Sequence, residues 1–185
     1  TTTTFAFGVT NIKVEDNKNI HKFTTTPKEE DNVKANRTAW DSHFRYPAVT
    51  QLTEKILDII HLSVTQDGYD APNLVADEAW INWYKKKQFA VPHTHGCHMA
   101  VVYFVDTEDT NSNFIFTRND HFRLSKKEDE KTITNISKQI NIKDGTVIFF
   151  NGNLWHAVSA NLSDKLRVTY ASNVKVEYYK QREEN

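Results

Sequence analysis

From residue 74 to 176 the chain is a succession of short apolar and aromatic runs broken by turn residues, and no other feature constrains its fold as tightly. Ala79-Trp80-Ile81-Asn82-Trp83-Tyr84, residues 99–105, Phe114-Ile115-Phe116, and residues 146–150, 155–159 and 166–176 each read as a strand. Lys85-Lys86-Lys87, Asp144-Gly145 and residues 161–165 punctuate them as polar turns. Upstream, Pro47 opens the clearest helix. Val49, Leu52, Ile56, Ile59, Ile60 and Val64 recur every three or four residues, and Asp67-Gly68 supplies a stop. Many short strands with one or two packing helices predict a mostly β (α+β) chain, an antiparallel sandwich or jelly roll. Residues 5–9, 12–14 and 20–23 read as further short strands. Residues 24–37 and the highly charged 117–138 read as loops, the second a candidate lid, and 180–185 as a frayed end.

A length of 185 residues suits one domain, 1–185, with its core at about 38–176. A net charge of −1 supplies no global basic field for nucleic acid or an anionic membrane. No apolar run nears the roughly 20 residues of a membrane span. The single cysteine, Cys97, rules out an internal disulfide and favours a reducing compartment. No basic-then-apolar leader is visible at residues 1–4, so the expectation is a cytoplasmic domain.

The chemistry concentrates in Val91-Pro92-His93-Thr94-His95-Gly96-Cys97-His98. In an extended chain, residues two apart share a face, so His93 and His95 can reach one ion together, with His156 as a distant third donor. Such a set suits a first-row transition metal with open positions. His98 has the opposite parity, and His21, His43, His61 and His121 read as surface or structural. Were residues 161–165 a hairpin turn, His156 would sit opposite Thr169 and Val158 opposite Arg167. Arg167 would then share the face of His156, where a dicarboxylate could bridge metal and guanidinium. A structural ion pair with an internal acid is the alternative.

These segments, in this order, resemble the 2-oxoglutarate/Fe(II)-dependent dioxygenase superfamily, and within it a group of oxygenases found in bacteria and phages. The resemblance spans roughly residues 38–173: Trp40-Asp41-Ser42, Trp80-Ile81-Asn82, His93-x-His95, Tyr103-Phe104, the strand after Asp144-Gly145, His156 and Arg167-Val168-Thr169. It implies a double-stranded β-helix (jelly-roll, cupin-like) core, Fe(II) and 2-oxoglutarate as cofactors, dioxygen as cosubstrate and ascorbate as an optional addition. It also implies a hydroxylase in which His93 and His156 bind iron. Arg167 holds the far carboxylate of 2-oxoglutarate, with Thr169 and Asn82 in support, and Tyr103, of the same parity as His93 and His95 if the strand is regular, is the candidate second contact to that carboxylate. His95 stands where the superfamily has an aspartate or glutamate. Either three histidines hold the metal, or Asp106 takes over, or His95 acts from behind the ligands. The prime substrate is a peptide, protein or small molecule, with a prolyl residue the first form implied and Trp80, Trp83, Tyr84 and Trp155 as groove or core. A non-catalytic cupin-like protein holding zinc or a carboxylate is the alternative function.

Overall fold

The computed structural model describes residues 7–12, 33–70, 72–107, 113–117 and 137–177. The expected strand at 20–23, most of the charged 117–138 loop, the 180–185 end, His21 and His121 lie outside these residues.

Ten strands and two helices are present among them: β1 Phe7–Asn11, β2 Asn36–Arg37, α1 Ser42–Arg45, α2 Pro47–Gln66, β3 Asn73–Tyr84, β4 Ala90–His93, β5 Met99–Asp106, β6 Asn113–Thr117, β7 Ser137–Asn141, β8 Thr146–Asn151, β9 His156–Val158 and β10 Arg167–Glu177. They form two antiparallel sheets, six strands in the order β1-β8-β5-β10-β3-β2 and four in the order β4-β9-β6-β7. From β3 onward the chain passes repeatedly from one sheet to the other, which is the jelly roll. Two expected loops hold strands at their edges: β2 ends at Arg37, and β7 begins at Ser137.

Each face of the larger sheet has its own core. On the outer face, Ala79 and Ile81 of β3, Val101, Tyr103 and Val105 of β5, and Val168 and Tyr170 of β10 pack with Val49, Leu52, Ile56, Ile60 and Val64 of α2. The helix starts where expected because Pro47 needs no N–H partner in a first turn. It ends where Gly68 takes φ +84° and Tyr69 N–H donates back to Val64 O at 3.1 Å. On the inner face, Ala100, Val102, Phe104, Ile148 and Phe150 meet Ala90, Phe114, Phe116 and Val158 from the smaller sheet.

Two expectations fail here. Residues 161–165 do not close a hairpin: β9 pairs with β4 and β6, whereas β10 pairs with β3 and β5. His156 therefore faces His93 and Phe116 in its own sheet, not Thr169. Tyr103 lies fully buried in the outer core with α2, not toward the histidines. Gly96, at φ +64°, bends the chain between His95 and β5, so side-chain parity does not carry across.

Ile56 is fully buried at the centre of the helix-facing core. Ile56→Ala should cost about 2–5 kcal/mol of stability, read as an earlier midpoint in denaturant unfolding.

Candidate metal centre

Three histidines meet at the mouth of the inner core. His93 closes β4 and His156 opens β9, and the two are direct cross-strand partners. His95 arrives from the loop after β4, not from the strand. Its N–H donates to Gly152 O at 2.9 Å, which ties this loop to the turn that precedes His156. Gly152 is required there, because a Cβ at that position would lie 2.2 Å from Cys97 O. The ligating atoms of the three rings all lie within 4.8 Å of one another.

Hydrogen bonds decide which nitrogens are offered. His93 Nδ1 lies 2.7 Å from Val91 O and His156 Nδ1 lies 3.0 Å from Leu154 O. A carbonyl only accepts, so both Nδ1 atoms carry the proton. His95 Nδ1 lies 2.7 Å from Asn173 Oδ1. The orientation of that amide is set by its nitrogen, which donates to Glu78 Oε2 at 2.5 Å. All three Nε2 atoms thus present lone pairs. Those of His95 and His156 stand 3.1 Å apart, which repels unless a cation sits between them. With metal–nitrogen bonds of about 2.1 Å, that separation corresponds to an angle of about 95° at the ion. The donors fit a divalent transition metal. Glu78, two hydrogen bonds away through Asn173, places negative charge behind His95.

The surroundings keep the rings neutral. Phe114 stacks on His156 at 5.3 Å and Phe150 meets it edge-on at 4.6 Å. Burial lowers the pKa of His93, takes His95 down to about 4, and holds His156 well below the ordinary histidine value. Neighbouring histidine charges push the last two in the same direction.

Arg167 lies at the other end of the same inner face. It is fully buried, its guanidinium is 4.2 Å above the Tyr84 ring, and Nη1 donates to Ser159 O at 2.8 Å. Burial brings its pKa down to about 10. Thr169 and Asn82 sit side by side on this face, Asn82 Nδ2 donating to Thr169 Oγ1 at 3.4 Å. Asp106 is no substitute ligand: it lies beside Val168, at the far end of β10 from Asn173.

The other histidines stay apart. His43 is buried with Nε2 at 3.0 Å from Ala76 O, His98 is exposed and accepts from Val176 N–H, and His61 is exposed. The aromatic groove does not form as a set of four. Trp83 packs on the outer core and Tyr84 lies under Arg167. Trp80 alone of the four lines a cavity beside the histidines, where it is joined by Trp40 and Arg37. Sequence reasoning missed Asn173, although it continues the alternation of Arg167, Thr169 and Ala171. It also missed Glu78 and Arg37, for which no local signal exists.

For each histidine the folded pKa lies below the unfolded value of about 6.5, so between there and about pH 4 the unfolded chain binds more protons. Stability of the metal-free protein should be complete above about pH 6.5 and fall as pH drops toward 4. Denaturant titrations at pH 7.5, 5.5 and 4.5 check this, and equal stabilities would contradict neutral buried imidazoles.

The fold has solved counterparts. The non-haem α-ketoglutarate-dependent epimerase SnoN of nogalamycin biosynthesis superposes with a TM-score of 0.66 at 12% identity, covering 92% of this chain and 78% of that one. HygX from Streptomyces hygroscopicus, solved with nickel, 2-oxoglutarate and hygromycin B bound, gives 0.63 at 13%, covering 95% and 84%. The carbocyclase SnoK gives 0.62 at 14%, covering 94% and 80%. At these identities the likeness is one of fold. No curated protein matches in sequence. The family model described as "Putative 2OG-Fe(II) oxygenase" matches residues 78–173, a span that runs from Glu78 to Asn173 and includes all three histidines and Arg167. The chain belongs to this family of 2-oxoglutarate- and iron(II)-dependent oxygenases.

Proposed function

We propose that the protein hydroxylates a C–H bond at the expense of 2-oxoglutarate, with His93, His95 and His156 as iron ligands and Arg167 as the anchor of the cosubstrate's far carboxylate. The observation that carries this reading is the convergence of three bare Nε2 atoms on one interior that buries an arginine at its opposite end. Five residues of β10 lie between Asn173, behind His95, and Arg167, six steps or about 20 Å of strand. Two side chains, a metal and a five-carbon diacid cover that span.

Iron, when bound, would supply the oxidising chemistry with dioxygen as the oxidant and 2-oxoglutarate as co-reductant, one oxygen atom going to the substrate and the other to succinate, with carbon dioxide released. The protein supplies position and environment. Backbone carbonyls and Asn173 hold the imidazoles in one tautomer, and Phe114 and Phe150 pack against His156. The planar fork of Arg167 matches a carboxylate, whose charge offsets the cost of burying the guanidinium. Thr169 and Asn82 offer a hydroxyl and an amide beside it.

A prolyl residue is one form the substrate takes, supported by analogy with prolyl hydroxylases of the superfamily. SnoN and SnoK are named for nogalamycin biosynthesis and HygX was solved with hygromycin B bound, which supports a small-molecule substrate as the other form. Three neutral nitrogens also suit zinc, which favours a binding protein as the second reading.

Turnover separates the two. Aerobic Fe(II) and 2-oxoglutarate should yield succinate slowly without a prime substrate, and His95→Ala should abolish both metal binding and succinate. A wild-type protein that binds zinc and forms no succinate would establish the second reading.

Arg167→Ala should raise the Kd for 2-oxoglutarate at least about tenfold in anaerobic titration, the loss of a charge-assisted bidentate contact. Metal affinity should stay within about threefold, and Arg167→Lys should restore part of the loss. A lowered melting temperature with unchanged cosubstrate affinity would make Arg167 structural.

A further inference from the structure

We infer that Asn173 and Glu78 are positioning residues of the metal centre. The Glu78 carboxylate, acting through the Asn173 amide, supplies the negative charge missing among the three histidine ligands, and so sets metal affinity and the potential of bound iron. Among the described residues the ligand cluster holds no carboxylate, so a divalent ion there faces neutral donors only. A cation taken out of water into neutral surroundings is costly, and an anion close behind a ligand offsets part of that cost. His93 and His156 donate their Nδ1 protons to backbone carbonyls, which carry no net charge. His95 alone of the three donates to a side chain, and that side chain leads to an acid.

The fold sets these contacts in register. Asn173 and Glu78 are direct partners across β10 and β3, and the register shifts between Asn173 and Val174, the kind of bulge that re-aims a side chain. Ser172 Oγ donates to Glu78 O at 2.7 Å, which pins the backbone beneath the acid. Trp80 stacks on the His95 ring at 5.9 Å and holds its plane. The Asn173 amide has one workable orientation. Its oxygen accepts from His95 Nδ1 at 2.7 Å and from the Cys97 thiol at 3.5 Å. Burial pushes that thiol's pKa up, which keeps it a donor. The amide nitrogen donates to Glu78 Oε2 at 2.5 Å. Reversed, the amide would set N–H against N–H at His95 and oxygen against carboxylate at Glu78.

The charge on Glu78 is available to the centre. Glu78 lines a cavity of about 600 Å³ together with Asp77, His95, Asn173 and Lys175. Lys175 is ion-paired with Glu177 at 2.6 Å rather than with Glu78. Asp77 shares the wall but is exposed, so water and salt screen it. Two consequences follow for a bound metal. Charge behind a ligand raises the affinity for a divalent ion. It also favours the higher oxidation state of iron over the lower, because attraction grows with the charge of the ion.

The inference rests on the three-histidine metal reading and not on turnover. Mn(II) is titrated in competition with a chelator into the wild type, Glu78→Gln, Asp77→Asn and the double variant Glu78→Gln/Asn173→Asp. The Fe(III)/Fe(II) potential of each is measured anaerobically. In Glu78→Gln an amide oxygen still accepts from Asn173, so only the charge is lost. The Kd for Mn(II) should rise about tenfold, and the iron potential should rise with it. The double variant moves the charge one link nearer to His95 with a donor facing every acceptor, and should return both values to those of the wild type or beyond. Asp77→Asn should leave the Kd within about threefold. Imidazole nitrogen NMR of the metal-free proteins should find the His95 proton on Nδ1 throughout. Unchanged Kd and potential in Glu78→Gln, a displaced His95 proton in that variant, an equal loss in Asp77→Asn, or a double variant that melts like the wild type and recovers neither value would overturn the inference. A wild type that binds no Mn(II) would overturn it together with the metal reading. Dependence on Glu78 in a protein that forms no succinate would support it and sink the oxygenase reading alone.

Discussion

Two imidazole nitrogens 3.1 Å apart, each with its proton committed elsewhere, are the constraint on which the rest of the structure depends. Neutral lone pairs at that distance repel, and burial makes protonation an expensive remedy. A cation relieves both costs. The fold spends several devices to hold the arrangement: a cross-strand pair, a bend at Gly96, and a glycine at position 152 where a side chain would collide with Cys97. Where the common non-haem iron site has a carboxylate ligand, this chain has His95, and its negative charge sits further out, on Glu78 behind Asn173.

The two-layer architecture distributes the work. Histidines come from the strands and loop of the smaller sheet, and Arg167, Thr169 and Asn82, the proposed cosubstrate contacts, come from the inner face of the larger one. The outer face of that sheet is occupied by α2, which leaves the inner alternation of β10 and β3 for function. Along β10 that alternation reads Arg167, Thr169, Ala171, Asn173, a row running from the buried guanidinium to the metal centre.

Much of this was legible in the sequence, for a physical reason. Apolar periodicity located α2 to within a residue, because one stripe of Val49, Leu52, Ile56, Ile60 and Val64 has to be buried. The strand runs and the three histidines were equally visible, being local patterns. Pairing was not. A polar turn such as 161–165 reads as a hairpin whether the next strand returns to the same sheet or crosses to the other, so His156 was set opposite Thr169 when its partner is His93. Tyr103 was misassigned by extending parity through a bend. Arg37 lay in a polar stretch whose strand character depends on the edge of β3, and nothing local reveals such an edge.

X-ray absorption on the Fe(II)-loaded protein tests the central claim most directly. The account predicts a first coordination sphere with three imidazole nitrogens at about 2.0–2.2 Å. A sphere of two imidazoles and a protein carboxylate in the wild type would contradict it.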